Sequence, residues 1–259
     1  MKVDTGIPAT GGSFIAGTSA TGGIAAKPNW PRELLPFTVR VASSEEEIEK
    51  AVSIRHSAYA RHVPAFAEGL RAAEECDYQA GSVVLLAESK LDGSPLGTMR
   101  VQINRFRKLS LEQSVELPDW LKDKNLAEAT RLGISLGRQG RVVKVMIFKA
   151  FLLYCLDNDI DWMVITARSP LDSQYDALLF QDVFPDRGFI PMQHVGNIPH
   201  RVMALAPRMV ESMWREARHG LYECFFRTRH PDIDVRGRGN ALADESWFAR
   251  SGARAEVRV

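Results

Sequence analysis

The sequence lacks an excess of charge of either sign. Lys and Arg together number 33, Asp and Glu number 32, and the formal net charge at pH 7 is +1. A chain that binds nucleic acid over much of its surface usually carries a marked basic excess. The charge balance therefore removes the main compositional argument for a nucleic-acid-binding protein.

A long uninterrupted apolar run is missing too. A membrane-spanning helix needs about 20 predominantly apolar residues, whereas the longest apolar segment, residues 142–156, is interrupted by Lys144 and Lys149. The N-terminus has no basic stretch followed by an apolar one, the pattern of a secretory signal. We therefore expect a cytoplasmic protein without a transmembrane segment.

Cysteine is scarce, and the metal and nucleotide motifs are absent. Three cysteines without CxxC spacing do not predict a disulfide framework or a zinc ribbon. Cys155 and Cys224 lie in apolar surroundings and are expected to be buried. The histidines, His194 among them, show no metal-type spacing and are expected to be surface or structurally satisfied side chains. No metal is implied.

Composition divides the chain into three parts. Residues 1–36 are rich in Gly, Ala, Thr, Ser and Pro, have little apolar surface, and are predicted to form a flexible arm. Residues 37–206 are predicted to form the folded domain. Residues 207–259 are predicted to be a C-terminal extension, with a helix over 207–226 and a loosely attached tail.

Periodicity within the central part predicts alternating strands and helices. The predicted strands are 37–41, 82–88, 96–103, 128–137, 161–167, 188–193 and 200–206. The predicted helices are 44–62, capped by Ser44, then 141–158, and one that begins at Ser169-Pro170 and ends before Pro185. The fold class is therefore α/β or α+β, with helices flanking one mixed sheet.

Charged residues occupy positions that the pattern marks as apolar. Arg55 lies on the inner stripe of the first helix, Arg100 interrupts a strand, and Glu128 and Arg131 begin another strand. Asp77 lies on the intervening loop. Because buried charges are usually paired, we expect one network of two acids and three arginines. Such a network is compatible with an active site or with a purely architectural cluster.

A second feature lies between a predicted strand and a predicted helix. Gly137, Arg138, Gly140 and Arg141 fall there, and residues 131–149 carry five positive charges and no acid. Helix amides favour an anion at such a position, and glycines let the anion approach the backbone. The alternative is a short loop with solvated arginines.

Four motifs, in this order and on these elements, resemble a known family. They are Ile54-Arg55-His56 with Tyr59, Glu75-Cys76-Asp77, Leu96-Gly97-Thr98-Met99-Arg100, and Glu128-Ala129-Thr130-Arg131-Leu132. The set is similar to that of the acyl-homoserine-lactone synthases and closer to that of the N-acyl amino acid synthases, a branch of the GNAT acyltransferase superfamily. The resemblance covers about residues 38–206. It implies a GNAT-like fold with a single mixed, mostly antiparallel sheet.

The resemblance implies transfer of a medium or long fatty acyl group from an acyl carrier protein thioester to the α-amino group of an amino acid. Glu128 would take the ammonium proton, and backbone N–H groups near residues 132–134 would bind the oxyanion. Arg100 and Arg131 would grip the substrate carboxylate or hold Glu128. Arg55, Asp77 and Thr130 would contribute to the acceptor site.

The donor prediction depends on a departure from the CoA pattern. Arg138 is followed three residues later by Arg141 where CoA-using members of the superfamily have glycine. This favours the single phosphate of a phosphopantetheine arm as co-substrate, with no tightly bound cofactor. Residues predicted to meet that arm and its acidic carrier are Gly137, Arg138, Gly140, Arg141 and Lys144.

Several alternatives remain open from the sequence. The acyl-homoserine-lactone synthases carry a set of N-terminal aromatic residues that cannot be placed in this sequence. Trp30 is the only early tryptophan, and it precedes the first predicted helix. This departure favours a plain amino acid over S-adenosylmethionine as acceptor. The alternatives are an acyl-homoserine-lactone synthase, a CoA-dependent acetyltransferase, and a non-catalytic module that binds acyl chains or a carrier. Phe148, Phe151, Leu152 and nearby apolar residues are expected to be core, with an acyl slot as the alternative.

Overall fold

The computed structural model describes residues 30–236, and from Pro31 onward these belong to one compact unit. The predicted arm therefore lies outside the described residues up to position 29. Its last residues contact the folded part, since Leu35 is buried and donates its N–H to Asp232 at 2.8 Å.

The order of elements agrees with the predicted strand and helix series. The strands are β1 (Phe37–Val41), β2 (Ser82–Ser89), β3 (Pro95–Ile103), β4 (Leu126–Ile134), β5 (Trp162–Ala167), β6 (Gln181–Asp182), β7 (Ile190–Met192), β8 (Ile198–Leu205) and β9 (Ile233–Asp234). The helices are α1 (Glu45–Ala60), α2 (Pro64–Ala67), α3 (Gly140–Asp157), α4 (Asp172–Asp176) and α5 (Val210–Glu216). Short 3-10 turns lie at Glu75–Asp77, Ser110–Gln113 and Gln193–Val195.

One sheet organises these elements. Its strand order is β6-β8-β5-β4-β3-β2-β1-β9, with β7 added to β8. The β4–β5 and β1–β9 pairs are parallel, and the other pairs are antiparallel. The predicted mixed, mostly antiparallel sheet with flanking helices is confirmed.

Side-chain alternation in β2 places a helix on each face of the sheet. Val83 and Leu85 belong to the core that includes α3, whereas Val84 and Leu86 pack with Ile48 of α1. Both strand faces are therefore buried, as the unbroken apolar run of β2 requires. Ser44 caps the N-terminus of α1, and its hydroxyl accepts from the backbone N–H of Glu47.

The middle of the sheet has two irregularities that shape the site. Thr98 pairs with Gly133 and Arg100 pairs with Thr130, so two residues of β4 oppose Met99 alone. This β-bulge contains Arg131, whose backbone is left-handed with φ of 55°. On its other side, β4 pairs with β5 only over Leu126 to Ala129. Beyond Ala129 the two parallel strands separate.

Two predicted helices were too long. The helix from Ser169 contracts to α4 because Leu179 adopts a left-handed conformation and the N–H of Phe180 donates to Tyr175 O. The helix over 207–226 is interrupted in the same way by Arg218, after which the N–H of His219 donates to Trp214 O. A left-handed residue ends a helix, and glycine usually marks it in the sequence.

The C-terminal segment is attached as far as it is described. Lys149 of α3 is buried and donates to Cys224 O at 2.6 Å and to Thr228 O at 2.7 Å. Beyond this clamp, β9 pairs with β1 and forms that edge of the sheet. Residues 237–259 of the predicted loose tail lie outside the described residues. Cys155 is buried as expected, while Cys224 is partly exposed.

The helices within residues 30–236 are too short or too polar to cross a bilayer. In the same range, no group of three or more His, Cys, Asp or Glu side chains is arranged to hold a metal ion.

Candidate active site

The three arginines form a charge network with two acids, but Glu74 takes the central place that was predicted for Glu128. Glu74 Oε2 accepts from Arg55 Nη1 at 3.3 Å, Arg100 Nη1 at 3.1 Å and Arg131 Nε at 2.6 Å. Its other oxygen accepts from Arg131 Nη2 at 2.7 Å. Burial alone would raise the pKa of Glu74, but the three guanidiniums outweigh it and lower the pKa to about 2.

Asp77 is the second acid of the network, and it binds Arg55 of α1. Its two oxygens accept from the two terminal nitrogens of Arg55, each at 2.8 Å, in the bidentate geometry that is strongest for such pairs. Asp77 Oδ1 is also 3.4 Å from Arg100 Nη1. A 3-10 turn holds both acids, because Asp77 Oδ2 accepts from the backbone N–H of Glu74 at 2.8 Å.

The bulge in β4 determines where Arg131 reaches. Regular alternation would place its side chain with that of Ala129, on the face opposite Thr130. Instead the guanidinium contacts Glu74 and donates to His194 O at 3.0 Å, with its carbon 5.1 Å from the centre of the Phe66 ring. One terminal nitrogen, Nη1, is buried without a protein partner.

Glu128 lies beside this network without joining it. Its side chain is completely buried, its Oε2 accepts from the backbone N–H of Leu111 at 3.3 Å, and its Oε1 has no partner. Burial raises the pKa of Glu128 to about 7, against the opposing effect of the backbone amides of Leu111 and Ser110 and of the charges of Arg100 and Arg131. Within the described chain, no arginine contacts Glu128 at ion-pair distance.

His194 is the side chain that approaches Glu128. Its Nε2 is 3.9 Å from Glu128 Oε1 and 3.3 Å from Thr166 Oγ1, while Nδ1 is buried without a partner. Burial, followed by the charge of Arg131, lowers the pKa of His194 to about 3, so its ring is neutral at physiological pH.

A cavity of about 320 Å³ opens where β4 and β5 separate. Its wall includes Tyr59 of α1 on one side of the sheet and Phe148 of α3 on the other, with Thr130 and His194 between them. The cavity therefore passes through the sheet. Of the aromatic and leucine residues considered as an acyl slot, Phe148 lines this cavity, and Phe151 and Leu152 are core.

The predicted basic loop reaches this cavity at Lys144, whereas Gly137, Arg138, Gly140 and Arg141 are not among the lining residues. The exposed Arg138 and Arg141 flank the first turn of α3, and Lys144 lines the cavity while its Nζ donates to Gln174 at 2.5 Å. Gly137 has φ of 141°, a conformation that favours glycine. Gly140 begins α3, and its N–H donates to Gly137 O at 3.2 Å.

The structure brings the predicted catalytic and acceptor residues together in two layers. Thr130 and Arg131 line the cavity, whereas Arg55, Asp77, Arg100 and Glu128 are buried behind it, at most 2% exposed. One expectation was wrong: the second acid that pairs with the arginines is Glu74, and neither Arg100 nor Arg131 holds Glu128.

Two residues of the site, Glu74 and His194, were not predicted as functional from the sequence. Glu74 had a usable signal, because it precedes Asp77 by three residues and one helical turn places both on the same side. His194 lies in a short 3-10 turn between β7 and β8, and nothing in the local pattern distinguishes it from a surface histidine.

The comparisons with known proteins rest on structure alone. The sequence matches no protein-family model and no curated protein. The fold is similar to that of FeeM, an N-acyl amino acid synthase from uncultured soil microbes, with a TM-score of 0.54 and 19% identity over 70% of this chain and 96% of that one. It is also similar to BjaI, a CoA-dependent acyl-homoserine lactone synthase, with a TM-score of 0.52 and 15% identity over 81% and 99% of the two chains.

The chain has a GNAT-like fold. The resemblance to the N-acyl amino acid synthases and the acyl-homoserine-lactone synthases, first indicated by the four motifs, is therefore confirmed at the level of fold. At these identities the similarity shows the architecture alone.

Proposed function

We propose that this chain is an N-acyltransferase that moves a medium or long fatty acyl group from an acyl carrier protein to the α-amino group of an amino acid. The observation that carries the proposal is the cavity that crosses the sheet where β4 leaves β5. It gives a thioester and an amine one meeting point, beside an acid buried with a free oxygen.

The charge balance behind the cavity supports an anionic acceptor. Arg55, Arg100 and Arg131 bring three positive charges, and Glu74 and Asp77 neutralise two of them. Arg131 lines the cavity and keeps one buried nitrogen without a partner. A carboxylate placed there would satisfy both the remaining charge and that donor.

The opening between the strands supports a pantetheine arm as donor. Because β4 has no β5 partner after Ala129, the backbone groups there are not used by a β5 ladder. Apart from Ile134 O, which accepts from Arg61 at 2.7 Å, they would bind the amides of such an arm or a developing oxyanion. Arg138, Arg141 and Lys144 lie at the N-terminus of α3, where a phosphate is favoured. We propose acyl-phosphopantetheine as the co-substrate and the cytoplasm as the location.

The proposed chemistry needs a neutral amine. An α-ammonium group is protonated at neutral pH, and attack on the thioester carbonyl requires loss of that proton. The raised pKa of Glu128, about 7, makes this carboxyl half ionised near pH 7 and able to accept the proton. The thiolate of the pantetheine arm is then the leaving group.

The proposal is tested by incubating the purified protein with acyl carrier protein loaded with single chain lengths and with a mixture of amino acids. We expect mass spectrometry to detect an N-acyl amino acid and free carrier thiol in equal amounts. Absence of an N-acyl product for every chain length and acceptor, together with absence of carrier binding, would overturn the proposal.

Matched arms separate the alternatives. Release of methylthioadenosine from S-adenosylmethionine would identify an acyl-homoserine-lactone synthase, and turnover of acetyl-CoA would identify a conventional acetyltransferase. The Glu128→Gln variant distinguishes an enzyme from a binding module, because the enzyme loses turnover and retains affinity for the carrier. A binding module shows the same carrier affinity and no turnover in either form.

A further inference from the structure

The environment of His194 contains two buried atoms that lack partners. Glu128 Oε1 and His194 Nδ1 are both buried without a hydrogen-bond partner, and the other ring nitrogen of His194 is 3.9 Å from that same Glu128 oxygen. Unpartnered buried polar atoms are costly and are concentrated at places where a ligand or a functional group completes them. Here one of the two atoms is a nitrogen of the imidazole ring, and the other lies opposite the second nitrogen of the same ring.

The position of the ring relative to the cavity is the second observation. His194 lines the cavity, whereas the Glu128 side chain is completely buried. An amine in the cavity therefore meets the imidazole sooner than the carboxyl. The distance of 3.9 Å between Nε2 and Oε1 is longer than a hydrogen bond, as is common for catalytic contacts before the substrate is bound.

Several contacts hold the ring in this place. Thr166 Oγ1 of β5 lies 3.3 Å from Nε2, and the backbone carbonyl of His194 accepts from Arg131 Nη2 at 3.0 Å. The preceding residue, Gln193, donates its N–H to Ser114 at 2.8 Å. Gly196, with φ of 72°, ends the turn. A surface histidine would not need this support.

We propose that His194 is a catalytic residue of the acyl transfer, receiving a proton from the acceptor ammonium and passing one to Glu128. The inference deepens the proposed function and rests on it. Nδ1 takes the ammonium proton, and the proton on Nε2, the nitrogen that faces Glu128, is given to Glu128 Oε1. The ring thus changes tautomer and does not accumulate charge.

The protons balance over the whole reaction. The amine nitrogen loses two protons on the way to the amide: one reaches Glu128 through His194, and one goes to the sulfur of the departing thiolate. The new bond joins the amine nitrogen to the carbonyl carbon, and the carbon–sulfur bond breaks. After the product leaves, Glu128 returns its proton to the ring nitrogen that faces it, and the opposite ring nitrogen releases its proton to solvent. This restores both the carboxylate and the starting tautomer, with one net proton released.

The charges around the ring agree with this role. The groups that act on His194 are Arg131 of β4, Arg100 of β3, His200 of β8 and Glu74 in the acidic turn. Burial is the main cause of the lowered pKa of His194, and the arginines act in the same direction, so the ring stays neutral and cannot store the proton. Glu128, also near Arg100 and Arg131, titrates close to pH 7 and can store it.

The test compares the wild-type protein with His194→Gln, using the full chain and an acyl carrier donor. We expect kcat to fall by about 100-fold, as for removal of a general base, with the KM for the acyl carrier unchanged. The wild-type profile of kcat/KM should rise through about pH 7, where Glu128 ionises, and this limb should disappear in the variant.

A nucleophile that is already neutral provides the decisive control. With hydroxylamine as acceptor at pH 7, His194→Gln should react within about threefold of the wild type, because no proton has to be removed before attack. Imidazole in the buffer should restore part of the activity of His194→Ala. A merely structural role would reduce the rates with both nucleophiles equally.

The possible failures are distinguishable. If the wild-type protein makes no N-acyl product, the proposed function fails and this inference fails with it. If the wild-type protein is active and His194→Gln keeps its rate and its pH profile, the inference alone is overturned. Equal losses with amino acid and hydroxylamine overturn the inference as well.

Discussion

The environment of Glu128 makes the stability of the protein depend on pH. The Glu128 carboxyl is fully buried and its pKa is raised to about 7, whereas the pKa of a solvated glutamate is about 4.3. Between these two values the folded chain binds a proton that the unfolded chain has lost. This group therefore makes its largest contribution to stability below its unfolded pKa and loses it as pH rises through about 7.

The variant Glu128→Gln should reveal the stability that the wild-type protein loses when Glu128 ionises. Because glutamine cannot ionise, the variant should gain stability over the wild type between about pH 5 and 8, by on the order of 2 to 3 kcal/mol. Denaturant unfolding of both proteins at several pH values measures the difference. Other titrating groups are common to the two proteins, so a difference that does not change with pH would contradict the burial of an ionisable Glu128.

Glu74 should be a larger contributor to stability than its partial exposure suggests. It joins three guanidiniums, and replacing it with glutamine would leave them with Asp77 as their remaining acid. We expect Glu74→Gln to lower the free energy of unfolding by about 3 to 5 kcal/mol, the usual cost of removing one partner from a buried ionic group.

The neighbouring Glu75 gives a matched control for that variant. Glu75 is exposed, and its carboxylate accepts from Gln79 at 2.8 Å. Glu75→Gln should change the free energy of unfolding by less than about 0.5 kcal/mol. Similar losses in both variants, measured by urea unfolding, would mean that the guanidinium network is not a special source of stability.

At the scale of elements, the approach of α1 to β4 depends on Gly133. A Cβ atom added there would be 3.1 Å from Arg55 Cα and 3.2 Å from Ile54 O, both on the backbone of α1. The helix would have to move, and Arg55 with it. We expect Gly133→Ala to destabilise the protein by about 1 to 3 kcal/mol, measured as a lower Tm.

Gly69 is the control for this substitution. A Cβ added at Gly69 meets no atom within 4 Å, so Gly69→Ala should leave the Tm near that of the wild type. If Gly133→Ala were equally harmless, α1 and β4 would be less tightly packed than the structure shows.

The elements that sequence predicted well are those with a strong local pattern. The run Ser82–Ser89 and the capped helix α1 were recognised because apolar spacing and a serine cap are local signals. The helices after Ser169 and Pro207 were overextended because Leu179 and Arg218 end them in left-handed conformations. Nothing in those side chains announces such a conformation.

The site was predictable in its composition and less so in its connections. Charged residues in apolar strands marked Arg100, Glu128 and Arg131 correctly as buried. Which acid pairs with which arginine depends on the β4 bulge, which carries Arg131 towards Glu74. The bulge and the long-range approach of His194 arise from tertiary packing and leave no trace in a local pattern.

At the scale of the whole molecule, one surface combines basic and apolar side chains. Arg138 and Arg141 are exposed at the start of α3, with Leu136 at 79% and Val142 at 46% exposure beside them. Reversing two charges with Arg138→Glu and Arg141→Glu should raise the KM for acyl carrier protein by at least about tenfold, with kcat little changed.

Two controls test whether that effect belongs to the carrier. A small acyl-pantetheine donor should be used equally well by the wild type and the double variant. Arg208 is 65% exposed and pairs with Asp159, just beyond the other end of α3, so Arg208→Glu should leave the carrier KM unchanged. Equal effects of both charge reversals, or an insensitivity to salt, would argue against docking at this end.

The short strand β9 has a consequence for the solubility of the protein. It covers the outer edge of β1 through pairs at Val39 and Arg40, and the Lys149 clamp keeps the segment before it in place. A bare strand edge is a template on which a second molecule can add its own strand. Loosening the Lys149 contacts would therefore expose the edge of β1 to a second molecule and favour self-association, even with the Glu74 network intact.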